Sequence, residues 1–111
     1  MRLVIVESPY AGDIERNVRY ARACLRDCLL RGEAPFASHL LYTQDGVLRD
    51  AVPRERSLGI TAGLAWGSMA RATIVYTDLG ITEGMTKGTS RAFKQGRSVE
   101  YRQLGADWET R

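Results

Sequence analysis

The feature that most constrains this chain is a short, β-branched, almost uninterrupted apolar run, Arg2 to Glu7, ending in Ser8-Pro9. A strand with apolar residues at nearly every position has no face to give to water, so it is predicted to lie centrally in a sheet covered on both sides. Ala72 to Thr77, with Ile74, Val75 and Tyr76 at its centre, reads as another strand of the same sheet.

Helical patterns fill the intervals. After Pro9 and Gly12, Asp13 is a candidate N-cap, and Val18, Ala21, Leu25, Cys28 and Leu29 recur at helical spacing, predicting a first helix over 14–31 closed by Gly32. A second strand is expected after Pro35, delivering the polar stretch 38–44 to a loop that runs on to Pro53. A second helix follows over 54–69. Its apolar stripe is Leu58, Ala62, Ala65 and Met69, and Gly59, Gly63 and Gly67 recur at every fourth position. Each glycine weakens a helix by about 1 kcal/mol relative to alanine, so close packing of a partner helix, from this chain or a second copy, is expected there. A third helix over 84–95, stopped by Gly96, and a last strand over 98–102 complete the pattern.

Alternation of strand and helix predicts an α/β fold of three layers, α/β/α, with a mostly parallel sheet of four or five strands, flavodoxin-like or deoxyribosyltransferase-like. The 111 residues fit one domain, taken as 1–104, with a tail 105–111 expected to be mobile or docked on a neighbour because Trp108 is its main anchor. Hydrophobic residues make up 44% and charged residues 26%, which argues against disorder. Net charge is +3 with the signs interleaved, so no polymeric nucleic acid is expected as partner. Cys24 and Cys28 lie one helical turn apart, a poor disulfide geometry, and read as free thiols. No metal or cofactor is expected, and with no apolar run long enough to span a bilayer the chain is placed in the cytoplasm.

Open parallel sheets bind ligands beyond the C-terminal ends of their strands. That rule selects segments 8–13, 38–44 and 78–85. In the first, Ser8, Pro9, Tyr10 and Gly12 at a helix N-terminus suit a phosphate or sugar hydroxyl, although an ordinary strand-to-helix turn uses the same residues. His39, the sole histidine, is either a hydrogen-bonded structural group or a ligand contact. Asp78 and Glu83 could bind ribose hydroxyls or act as orienting acid and nucleophile at an anomeric carbon; alternatively, Asp78 caps the turn and Glu83 complements the helix dipole.

The order of these motifs resembles the nucleoside deoxyribosyltransferase-like superfamily, closest to its small bacterial and phage branches. The likeness rests on the strand ending in Ser8-Pro9-Tyr10-Ala11-Gly12-Asp13, on Asn17, on the Gly32 to His39 stretch, and on Asp78 followed by a Gly-rich turn, a helix and Gly96 to Val99. It implies a homodimer or larger assembly and a nucleoside or nucleotide ligand bounded by Ser8, Tyr10 and Gly12 on one side and Asp78, Gly80 and Met85 on the other. Asn17, His39, Thr82, Gly84 and Gly88 complete the candidate contacts. It also implies N-glycosidic cleavage or transfer through a glutamate near the start of the last helix, a position that falls on Gly88. Glu83 is the substitute nucleophile the sequence offers. The competing expectations are a non-catalytic nucleotide sponge or sensor, as in phage anti-defence, and an interaction module that retains only the fold.

Overall fold

The computed structural model describes residues 1–110. Its elements are β1 (Arg2–Glu7), α1 (Ile14–Leu30), β2 (Glu33–Phe36), α2 (Ser38–Leu41), α3 (Pro53–Gly67), β3 (Ala72–Tyr76), α4 (Glu83–Lys94), β4 (Ser98–Arg102) and a final 3₁₀ turn, Trp108–Thr110. The four strands are parallel and ordered β2-β1-β3-β4, so the two most apolar runs occupy the centre, as expected.

Period-two alternation sorts β1 into two faces. Val4 and Val6 point toward α1 and join Tyr20, Cys24, Cys28, Ile74 and Tyr76 in the core. Glu7 points to the other face, under α4. Every residue of β3 is buried, and covering a side chain such as Ile74 contributes about 1.5–3 kcal/mol. Asp13 caps α1 through its side chain, and Gly32, at φ +81°, takes the left-handed turn that ends it. Both cysteines are buried and free.

A network of ionic side chains ties the edge strands together. Arg102 of β4 donates to both carboxylate oxygens of Glu33 in β2, each at 2.7 Å, and Arg2 of β1 donates to Glu33 at 2.6 Å. These guanidinium bonds, Arg102 first, hold the Glu33 carboxyl down to about 2. The Tyr76 hydroxyl, which accepts from Arg102, donates to Asp27 at 2.7 Å.

Two expectations are corrected. β2 pairs from Glu33 and includes Pro35 opposite Val4, because on an edge strand the missing proline N–H need not face a neighbour. Ser38–Leu41 is a helical turn rather than the strand's polar end. The close approach expected at the glycines of α3 is met within this chain, mostly by α2 and the following turn: Gly59 faces Leu48 and Tyr42, Gly63 faces Ser38, and Gly67 lies against Gln95 and Arg97. Up to Thr110 the tail packs on its own domain. Trp108 is buried edge-on against Tyr20 at 5.0 Å, and Arg16 bridges back to Glu109. Arg111 lies outside the described residues.

Candidate functional site

A cleft of about 680 Å³ opens at the C-terminal ends of the strands. Ser8, Tyr10 and Gly12 of the β1–α1 loop form one side of it with Glu7, while Ser38, His39 and Tyr42 close a second. The first turns of α3, including Arg56 and Ile60, and those of α4, from Thr82 to Met85 with Lys87 and Arg91, supply the rest. All three segments selected by the strand-end rule therefore contribute, through different residues than expected in part.

Among the predicted ligand contacts, Ser8, Tyr10, Gly12, His39, Thr82, Gly84 and Met85 line the cleft. Pro9, Asn17, Gly80 and Gly88 do not. Asn17 is buried and donates its amide to the carbonyls of Tyr10 and Ala11 at 2.9 and 3.1 Å, so it shapes the first loop from behind. Gly80 serves the turn after β3 with φ +89°. Thr82 caps α4, accepting from the Met85 amide.

The two candidate catalytic carboxylates stand in different settings. Asp78 lies outside the cleft lining. Its carboxylate accepts from the Tyr20 hydroxyl at 2.6 Å, from the Leu104 amide at 2.8 and 3.1 Å and from the Gly105 amide at 3.0 Å. Burial opposes its ionisation, yet these bonds hold it below the usual carboxylate range. It anchors the chain after β4. Glu83 reaches the cleft only at its rim, with 87% of its side chain exposed, and pairs with Lys87 one turn along α4.

The sequence reading misses Glu7. This half-buried side chain faces α4 at Gly88, and a methyl group built on Gly88 would overlap the Glu7 carboxyl. Among the described residues no group donates a hydrogen bond to it, so its oxygens open onto the cleft. Desolvation pushes the carboxyl up to about 7 against the pull of Arg91 and Arg97. Arg97 is itself buried and fixed by donating to Thr73 at 2.9 Å and to the Gly67 carbonyl at 2.6 Å. The available signal was a charged residue closing an otherwise apolar central strand.

Beside Glu7, the Ser8 hydroxyl lies 2.7 Å from His39 Nε2. Burial pushes His39 down to about 4, so the imidazole is neutral at pH 7 and can either accept the serine proton or donate to its oxygen. A sheltered carboxyl, a neutral imidazole and rim cations in one cleft can hold a polar ligand and move a proton at its buried end. No cluster of metal-ligating side chains occurs among the described residues, and no helix among them is long and apolar enough to cross a membrane.

A family model described as a domain of unknown function, DUF7768, matches residues 2–102. No curated protein matches the chain. Among solved structures, the fold is similar to a 2-deoxyribosyltransferase from the psychrotolerant bacterium Bacillus psychrosaccharolyticus, with a TM-score of 0.64 and 17% identity. The match covers 94% of this chain and 74% of that one. At this identity the likeness establishes a deoxyribosyltransferase-like architecture.

Proposed function

This chain belongs to the DUF7768 family, and we propose that it binds a nucleoside or nucleotide in the cleft and cleaves the N-glycosidic bond. The observation that carries this reading is the convergence of three strand-end segments on one cleft with a sheltered carboxyl at its floor. The structural neighbour, described as an enzyme for nucleoside synthesis, supplies the substrate class. A nucleotide sponge is the second reading, favoured by the absence of a side chain at Gly88, where the resemblance places a glutamate.

Incubation of the protein with deoxyadenosine, deoxycytidine and their monophosphates, followed by mass spectrometry of bound and released species, tests the reading. Free base accumulating with time is the expected result. Ligand recovered intact and in stoichiometric amount supports the sponge, and if nothing is bound or released the ligand reading fails.

We further propose that a second copy covers α3. With the glycine face turned inward, Leu58, Trp66 and Met69 remain 57%, 58% and 68% exposed, an apolar stripe of the kind that monomers rarely leave open. Sedimentation should show a dimer or larger assembly. Leu58→Asp should shift it to monomer without unfolding, and an unchanged assembly would place the interface elsewhere.

A further inference from the structure

We propose that Glu7 is the general base of the cleft, and that position 88 is kept free of a side chain to admit its carboxyl; this rests on the N-glycosidic reading above. Two independent geometric facts lead here. First, the Glu7 carboxyl fills the space where a Cβ on α4 would stand, so the carboxylate is delivered to the floor by a central strand instead of by the helix. Second, it faces the cleft with no hydrogen-bond donor among the described residues, unlike Asp78 and Glu33, whose oxygens are occupied by the protein's own donors. An acceptor left open inside a cleft is available to a ligand or to a water.

The groups around it set its behaviour. Arg91 comes from α4, Arg97 from the turn into β4, and the Ser8–His39 pair from the adjoining loop and α2. Desolvation outweighs the two cations and leaves the carboxyl titrating near neutrality, where a group is best matched to taking a proton from water. In the step inferred, a water oxygen attacks the anomeric carbon while its proton passes to Glu7. The carbon–nitrogen bond breaks with its electron pair going to the base nitrogen, which takes a proton from solvent. Glu7 then returns its proton to solvent, so base plus free sugar balances nucleoside plus water.

Three variants test this. Glu7→Gln keeps the size and removes the base, and base release should fall at least about 100-fold. Gly88→Ala should also lower release, by about 10-fold or more, because its methyl displaces only the mobile end of Glu7. In the double variant the loss should equal that of Glu7→Gln alone, since both changes act through one carboxyl, whereas two unrelated structural defects would multiply. Folding is checked separately. The folded-state value of Glu7 lies above its ordinary 4.5, so stability drains as the pH rises from about 4.5 to about 7 and the full cost of the ionised carboxylate is present above that; Glu7→Gln should therefore melt no lower than the parent at pH 8. Mass analysis of quenched reactions should find no sugar attached to the protein.

Release undiminished in Glu7→Gln, multiplicative losses in the double variant, or a covalent adduct on Glu7 each overturns the assignment while leaving the N-glycosidic reading intact. Tight binding without any release by the parent overturns both together.

Discussion

Replacing Asp78 by alanine should cost on the order of 3–5 kcal/mol of folding free energy, the largest single-residue effect expected in this chain. The charged acceptor serves the Tyr20 hydroxyl and two consecutive backbone amides, those of Leu104 and Gly105. Tyr20 is fully buried, so its hydroxyl has no route to water when the acceptor goes, and the Trp108 ring resting on it loses its seat. Asp78→Asn should lose less, because one amide oxygen still accepts while the amide nitrogen faces donors. Urea unfolding at neutral pH measures both. A variant of unchanged stability that loses base release would instead return Asp78 to the chemistry of the cleft.

Arg102→Ala should follow, with a loss of about 2–4 kcal/mol, somewhat below the usual cost of orphaning a buried carboxylate because Arg2 still reaches Glu33. The same network predicts an acid limb. Glu33 titrates in the folded chain at about 2, below its ordinary 4.5. The unfolded state therefore binds its proton first as the pH falls, and the stabilisation present above about 4.5 drains away toward 2. Glu33→Gln should flatten that limb while lowering stability at neutral pH. If denaturant midpoints from pH 5 down to 2 run parallel in variant and parent, the network is not what holds the edge strands.

The architecture was legible because its signals are local. Apolar runs such as Arg2–Glu7 and the helical spacing of Val18, Ala21, Leu25 and Cys28 fix element type within a few residues, and capping by Asp13 and Gly32 fixes ends. Failures occurred where a distant partner decides. A short apolar stretch such as Ser38–Leu41 has no period long enough to separate helix from strand, and it curls because it packs under α3. Asp78 reads equally as cap or sugar ligand until Tyr20 and the chain after β4 are seen to occupy it. The glycines of α3 announced a close approach without identifying what approaches. Glu7 was the hardest to see, since a charged residue ending a buried strand usually marks the exit to solvent, and only α4 folding over it turns that exit into a cleft floor.

The shared volume at Glu7 and Gly88 also has an evolutionary consequence. Two positions near opposite ends of the chain compete for one space, so a substitution at either changes what selection tolerates at the other. Across homologues, a long acid at the first should travel with glycine at the second, and lineages that enlarge the helix position should be those that have already surrendered the strand carboxylate. A lineage that enlarges the helix position first must push the strand carboxylate aside and lose its place in the cleft, so the step is passable for the fold and costly for the site.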